Sequence, residues 1–245
     1  MVKNLSVTFD YYNIAVNQSI STYGASFILD SCYLGDAGQQ AKFCPLITRD
    51  PLTQRVANVL DLNVNVGQDK TSGIDLAVRY SLPSRFGRFG FIFDGTWLQR
   101  FDRILADGTV IHGKGTFDIG TTDGVYPEWK FNSGVTWALS NFAAGVSSRF
   151  LSAFRECGTK AGGFSGGKCY LDSTNSRRVS PYNIYDVYLR YSLASAAGKT
   201  LFSAGVLNAF DRKPSVIYNG FTAASDPAAY DFVGRYPYVR VAQNF

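Results

Sequence analysis

The chain has 245 residues and a formal net charge of +5, and 46% of its residues are hydrophobic. This hydrophobic content excludes a disordered chain, and the modest charge, without a concentrated basic patch, argues against nucleic-acid binding. No stretch approaches the roughly 18 consecutive apolar residues of a membrane helix, so any crossing of a membrane must use strands. The 19 Phe, 15 Tyr and 24 Gly favour strands and turns over long helices.

Alternation of polar and apolar residues predicts eight strands. In the first of them, Leu5, Val7 and Phe9 share one face, while Ser6 and Thr8 share the other. Such alternation is typical of membrane-barrel strands, although soluble antiparallel sheets show it too. The predicted strands are 4–18, 72–82, 89–94, 135–139, 142–150, 182–193, 202–206 and 238–245.

The connections between these strands alternate between short and long. The short ones lie near 83–87, 140–141 and 195–199, and the long ones near 19–57, 104–126, 157–180 and 211–232. Short turns at one end and long loops at the other are typical of outer-membrane barrels. The predicted fold is therefore all-β: an antiparallel transmembrane β-barrel segment of about eight strands, with long extracellular loops and short periplasmic turns.

Four cysteines fall in two of the long loops, as two pairs with the same internal separation. The simplest pairing joins Cys32 to Cys44 and Cys157 to Cys169, and it implies an oxidising compartment. The spacing does not resemble a Cys-x-x-Cys zinc or redox site. The alternative is four free buried thiols.

Several short motifs resemble those of the TonB-dependent outer-membrane receptors. Asn208-Ala209-Phe210-Asp211 with Pro214 resembles the "N-x-F-D-x-x-P" signature of that family, and Tyr230-Asp231 with Gly234-Arg235 resembles its "Y-D-x-x-G-R" segment. Gly73-Ile74-Asp75-Leu76 and Asp10-Tyr11-Tyr12 resemble two of its strands, and Phe245 resembles its terminal aromatic residue. Pro237 departs from the usual last strand, because proline cannot donate a ladder hydrogen bond.

The resemblance implies that residues 1–245 are the C-terminal portion of such a receptor's barrel domain, without its plug domain, its earlier strands or an export signal. The whole receptor would be an active transporter in the outer membrane of a Gram-negative bacterium, not an enzyme. It would take up a scarce siderophore-, vitamin- or oligosaccharide-like ligand, and this portion alone would not transport. The implied partners are lipid and lipopolysaccharide, a TonB-type energy-coupling protein, a small-molecule ligand and the barrel-assembly machinery, which would recognise Phe245. No cofactor, metal site or nucleic-acid partner is expected.

The candidate ligand contacts are aromatic and basic loop residues. They are Tyr126, Trp129, Arg155, Arg177 and Arg178. Tyr126 and Trp129 could instead belong to an interfacial aromatic girdle, and Arg177 and Arg178 could face solvent or lipopolysaccharide phosphates. Charged residues on the polar faces of the strands could contact ligand or simply pair with each other. They are Asp75, Arg79, Asp94, Arg149, Asp186 and Arg190.

Three other interpretations fit parts of the pattern. A self-contained eight-stranded outer-membrane barrel with a structural or adhesive role would pair residues 4–18 with 234–245. An outer-membrane hydrolase would need His112 as its base, but no Gly-x-Ser-x-Gly motif accompanies this histidine. A soluble secreted β-protein would have to bury the apolar strand faces against a second layer.

Overall fold

The computed structural model describes residues 3–104, 108, 110–117, 124–157, 176–196, 198–218 and 224–245, without the side chains of Val66 and Cys157. The strands are β1 (Leu5–Ser21), β2 (Ile47–Arg49), β3 (Val56–Val59), β4 (Val64–Ser84), β5 (Gly87–Ile104), β6 (Val110–His112), β7 (Thr116–Phe117), β8 (Trp129–Leu139), β9 (Phe142–Leu151), β10 (Phe154–Cys157), β11 (Ser176–Val179), β12 (Tyr182–Ser195), β13 (Gly198–Leu207) and β14 (Tyr236–Asn244). The helices are α1 (Ala25–Tyr33), α2 (Ala37–Phe43) and a short 3-10 helix, Cys44–Leu46. Neither α-helix is long and apolar enough to cross a membrane.

Eight long strands form one sheet in the order of the chain, β1-β4-β5-β8-β9-β12-β13-β14. The short strand β6 also pairs with β5. These eight correspond to the eight predicted strands, so the predicted antiparallel architecture is confirmed. Among the described residues no pairing joins β1 to β14, which the self-contained barrel would require.

The register from β5 to β14 sorts the side chains onto two faces. Asn132 pairs with Arg149, and Arg149 pairs with Ile184, so the three share one transverse row; Ser133, Ser148 and Tyr185 share the next. Because successive side chains point to opposite faces, one side of β8, β9, β12, β13 and β14 carries the charged residues of these five strands. We call it the polar face, and it includes Lys130, Arg149, Asp186, Arg190, Lys199 and Arg240.

The opposite side of β8, β9, β12, β13 and β14, the apolar face, carries no charged residue among the described residues of these strands. The side chains on this face are nevertheless exposed: Leu189 is 54% exposed, Val241 is 61% exposed and Val239 is 80% exposed. No second layer of described residues covers them, as a soluble β-sandwich would require. The soluble alternative is therefore not supported, whereas an uncharged outward face is what lipid requires.

The connections alternate in length as predicted. Two residues separate β4 from β5, β8 from β9, and β12 from β13, whereas long segments follow β1, β5, β9 and β13. In the β8–β9 turn, Ser140 adopts a positive φ of 53°. Tight turns hold neighbouring strands in one register, and the long segments leave room for further structure at the other end of the sheet.

The chain divides into two compact units. The smaller comprises Ile14–Thr71 and Asp102–His112, and the larger comprises the remaining residues. In the smaller unit, α1 and α2 surround buried Ile28, Cys32 and Phe43. These helices were not predicted, although Asp36 and Gln39 form a capping box at the start of α2 that the sequence spacing could have revealed.

The larger unit has its own apolar core where three long connections meet the polar face of the sheet. Its buried residues come from β7, β9–β12 and the β13–β14 connection, and they are Phe117, Leu151, Phe154, Val179, Tyr182, Ile184, Ile217 and Tyr230. The long loops after β5, β9 and β13 therefore share one hydrophobic cluster within this unit.

Candidate functional site

The segment after β13 is anchored by Asn208, a fully buried residue at the end of that strand. Its side-chain nitrogen donates to the carbonyl of Arg212 (2.9 Å), and its side-chain oxygen accepts from the amide of Arg212 (2.7 Å). The amide of Asn208 donates to Asp186 at 2.8 Å. The asparagine of the sequence motif therefore closes a tight turn and attaches it to β12.

Arg149 connects three elements on the polar face. Its Nη2 lies 3.3 Å from a carboxylate oxygen of Asp186 in β12 and 3.2 Å from one of Asp231 in the β13–β14 connection. The other oxygen of Asp231 accepts from the amide of Val233. Arg149 and Asp186 were predicted to lie on this face, and the structure shows them paired with each other. Asp231 is a further partner, 82 residues away from Arg149 in sequence.

A cavity of about 410 Å³ lies beside this cluster, in the larger unit. Its polar lining is Lys130, Asn132, Arg149, Tyr182, Tyr230 and Asp231. The Tyr182 and Tyr230 rings meet edge to face, with centroids 4.9 Å apart. The lining therefore combines cations, one carboxylate and two phenols, which can hold a polar solute or a polar protein surface.

A buried ion pair holds the hairpin of β10 and β11. Glu156 is fully buried, and Arg177 donates to it through Nε at 3.0 Å. Arg177 also donates to the carbonyl of Val216, and its guanidinium lies 4.6 Å from the ring centroid of Tyr218. The guanidinium is thus engaged by the protein and does not simply face solvent, because the hairpin places Glu156 opposite Arg177.

The other two predicted arginines lie together on the exposed side of the same hairpin. Arg155 in β10 is the register partner of Arg178 in β11, and both side chains are exposed. Arg155 donates to the Ser176 hydroxyl at 3.0 Å. The structure therefore brings these two candidate ligand contacts together and places Arg177 on the opposite side of the hairpin.

The two predicted aromatic contacts lie at the same end of the sheet. Tyr126 stacks on Phe101, with ring centroids 3.9 Å apart. Trp129 begins β8 and packs against Trp97 at 6.1 Å. Register pairs Trp97 with Trp129 on the apolar face, which suits the girdle interpretation for Trp129.

Asp211 and Glu128, two carboxylates in connections of the larger unit, have lowered pKa values. The pKa of Asp211 is lowered, first by the hydrogen bond from the Arg235 amide and then by Lys213. The pKa of Glu128 is lowered by the Lys114 ammonium, 3.1 Å away, and by the indole N–H of Trp97. Both carboxylates are therefore held in their ionised form by local donors.

The cysteine prediction is confirmed for one pair: Cys32 and Cys44 form a disulfide that joins α1 to the start of the 3-10 helix. Cys169 and the side chain of Cys157 lie outside the described residues, so that pairing stays a prediction. His112, the base of the hydrolase alternative, lies with Nδ1 2.7 Å from Asp102 in the β5–β6 hairpin. The described residues contain no group of three or more His, Cys, Asp or Glu side chains able to hold a metal.

Several solved structures share this fold. One is the FrpB iron transporter of Neisseria meningitidis (F3-3 variant), with 12% identity, a TM-score of 0.56 and coverage of 98% of this chain and 29% of that one. Another is the siderophore receptor PirA of Acinetobacter baumannii, with 13% identity, a TM-score of 0.56 and coverage of 100% and 30%. A third is the ferric-catecholate import receptor Fiu of E. coli K12, with 13% identity, a TM-score of 0.51 and coverage of 99% and 26%.

The chain thus spans less than a third of the length of each of these proteins, and identities this low show the fold alone. No protein of curated function matches the sequence. The family described as "TonB dependent receptor-like, beta-barrel" matches residues 2–209. Since that match covers most of the chain, this protein belongs to the TonB-dependent receptor-like β-barrel family.

Proposed function

We propose that this chain supplies barrel wall and extracellular loops to an active transporter of the Gram-negative outer membrane, driven by a TonB-type partner. The observation that carries the proposal is the separation of strands β8, β9, β12, β13 and β14 into an uncharged exposed face and a charged polar face. The uncharged face can lie against lipid, whereas the charged polar face must lie against water or protein. The family's members are transporters rather than enzymes, which agrees with this assignment.

The tryptophans of β8 support a membrane placement for the apolar face. Trp129 and Trp137 lie on this face at the two ends of the strand, eight residues apart, so about 26 Å separates them along the strand at about 3.3 Å per residue. Because barrel strands tilt by about 40°, this length spans about 20 Å across the membrane, close to the apolar band about 25 Å tall that lies between two aromatic girdles. The ion pair of Lys114 with Glu128 beside Trp97 would then lie at the outer interface, near lipopolysaccharide.

The ligand contacts would come from the loops after β5, β9 and β13. Arg155 and Arg178 offer two exposed cations on one side of the β10–β11 hairpin, and Tyr126 and Trp129 add aromatic surface. Arg177 would act by holding that hairpin in place. The three solved relatives are named for iron, siderophores or ferric catecholates, so an anionic ferric siderophore is the first ligand to test, ahead of vitamins and oligosaccharides.

The residue after β14 supports the barrel-assembly machinery as a further partner. Phe245 follows the last strand and is fully exposed, as a residue recognised by the barrel-assembly machinery would need to be. Deleting Phe245 should lower the amount of protein in the outer membrane without changing the amount synthesised.

Uptake of iron-55 tests the transport function. Bacteria carrying the gene in its natural locus are compared with an in-frame deletion, under iron limitation, across a panel of catecholate and hydroxamate siderophores. Deletion should abolish the uptake of at least one chelate, and a protonophore should abolish the same uptake in the parent strain. Unchanged uptake of every chelate, of vitamin B12 and of oligosaccharides would overturn the proposal.

A further inference from the structure

A group of polar side chains interrupts the apolar face of the sheet. Register pairs Ser133 in β8 with Ser148 in β9, and Ser148 with Tyr185 in β12, so these three side chains share one transverse row of that face. Asn183 precedes Tyr185 by two residues in β12 and therefore points to the same side. We call these four residues the polar island, because they concentrate hydrogen-bonding groups on a face that carries no charge in these strands.

Two hydrogen bonds join the polar island across β9 and β12. The Ser148 hydroxyl donates to Oδ1 of Asn183 at 2.6 Å, and Nδ2 of Asn183 donates to the Tyr185 hydroxyl at 2.9 Å. The four side chains carry five polar hydrogens, of which these bonds use two. The second amide hydrogen of Asn183 and the hydroxyl hydrogens of Tyr185 and Ser133 have no acceptor among the described residues. The island thus offers more donors than it satisfies itself.

The polar island lies between Trp129, at the start of β8, and the middle of the apolar face. Ser133 follows Trp129 by four residues, which is about 13 Å along the strand at about 3.3 Å per residue. With a strand tilt of about 40° this is about 10 Å across the membrane. Girdle rings lie at the level of the lipid head groups, so the island faces the acyl chains and their linkages. Bulk water does not satisfy donors at this depth.

Aromatic rings flank the polar island on the same face. Phe93 of β5 pairs in register with Ser133, and the Phe131 ring lies between the rings of Phe93 and Phe150, with centroids 5.3 Å and 4.6 Å away. Tyr185 itself is 38% exposed, so its hydroxyl is open to a partner from outside the sheet. A ligand here would meet donors beside an apolar wall, which suits an acyl chain with a polar linkage at one end.

We propose that the polar island is a binding site for the ester carbonyl of a membrane lipid, an inference that rests on the membrane placement of the apolar face in the proposed function. The surplus of donors selects this occupant. An ester carbonyl oxygen accepts hydrogen bonds and brings no donor, whereas an alkyl chain offers no acceptor. A second copy of this chain would bring the same surplus of donors and would leave it unsatisfied.

Native mass spectrometry of the complete 245-residue chain, released from detergent micelles, tests this site. The probes are a diacyl phosphatidylethanolamine and its dialkyl counterpart, in which ether linkages replace the esters and remove both carbonyl oxygens. The chain should bind the diacyl lipid about fivefold more tightly, the effect expected for one net hydrogen bond. The S133A/Y185F variant removes two of the unused donors and keeps the aromatic ring, and it should lose this preference.

The matched control, S147A/Y188F, makes the same two substitutions on the polar face and should keep the preference. If S133A/Y185F does not fold, Y185F alone replaces it and should at least halve the preference. Equal binding of the two lipids by the unaltered chain would overturn the site and leave the apolar face against lipid. Binding of neither lipid would overturn it too and would also contradict the membrane placement. A dimer of the chain that S133A/Y185F abolishes, without any lipid preference, would assign the island to a second copy instead.

Discussion

Arg177 donates through Nε to the carboxylate of Glu156, 3.0 Å away, and this carboxylate is fully buried between β10 and β11. The same guanidinium donates to the Val216 carbonyl and lies over the Tyr218 ring. One side chain thus joins the loop after β9 to the loop after β13. A buried carboxylate that loses its cation is strongly destabilising, since its charge stays out of water without compensation.

Replacing Arg177 with Met should therefore destabilise the two loops by about 3 kcal/mol, the cost of leaving a buried charge unpaired. Limited proteolysis of the folded chain should show faster cleavage within both loops. The neighbouring Arg178→Met variant is the control, because Arg178 is exposed and surface changes usually stay within about 0.5 kcal/mol. Equal protease sensitivity of the two variants would contradict the role given to Arg177.

Val146 and Ser147 are neighbours in β9 that face opposite sides of the sheet. Val146→Arg places a charge on the apolar face near the middle of the strand and should cost about 2–4 kcal/mol in a bilayer. Ser147→Arg places it on the polar face and should cost less than about 1 kcal/mol. Urea unfolding of both variants in lipid vesicles measures the difference. A smaller cost for Val146→Arg than for Ser147→Arg would reverse the assignment of the two faces.

Gly205 and Tyr238 form a cross-strand pair in which the ring covers the glycine. Gly205→Ala should destabilise the sheet by about 1–3 kcal/mol, because the added methyl collides with the ring. In a Tyr238→Ala background the same substitution should cost almost nothing. A double-mutant cycle of unfolding free energies checks this coupling, and additive effects would show that the ring does not pack against Gly205.

We expect the stability of the turn that contains Asp211 to depend on pH. Its pKa is lowered from 3.8 by the Arg235 amide and by Lys213, so its ionised form is preferred in the folded state. The stabilisation is therefore fully present above pH 3.8 and is lost as the pH falls through the lower pKa of the folded chain. NMR titration of the Asp211 carboxyl carbon should give a midpoint below 3.8. In Asp211→Asn, local unfolding of this turn should lose that acid dependence.

Reduction of the Cys32–Cys44 disulfide should loosen the smaller unit. The bridge closes a loop of about a dozen residues, worth about 3 kcal/mol in the chain-entropy model. A Cys32→Ser/Cys44→Ser variant should thus open locally about a hundredfold more often. Trypsin cleavage at Lys42 and Arg49 reports the opening, and the strands of the larger unit should remain protected. Unchanged cleavage rates would show that the helices hold this segment without the bridge.

The strands were predictable because each depends on local alternation: Val187 and Leu189 face one way and Tyr188 and Arg190 the other, whatever the rest of the chain does. The two helices were missed because aromatic and β-branched residues dominated the composition, although the Asp36–Gln39 spacing carried a local signal. The alternation of short turns with long connections was also predictable, because tight turns are short and contain characteristic residues.

The candidate site was harder to predict, because its contacts join residues far apart in sequence. Arg149 and Asp186 could be placed on one face from periodicity, but the partner Asp231 comes from a loop whose path alternation does not describe. The pairing of Glu156 with Arg177 requires knowing that β10 and β11 form a hairpin. The exposed pair of Arg155 and Arg178 follows from the same hairpin, so the sequence alone did not distinguish these two arginines from Arg177, which pairs with buried Glu156.

The contrast between the two-residue turns and the long connections has a consequence for engineering. The turns between β4 and β5, β8 and β9, and β12 and β13 fix strand register, and a graft that shifts this register by one residue would turn the side chains of a strand to the wrong face. The long connections can be exchanged between relatives without that penalty. Because Arg177 donates to the Val216 carbonyl, however, the loops after β9 and β13 must be transplanted together to keep this contact intact.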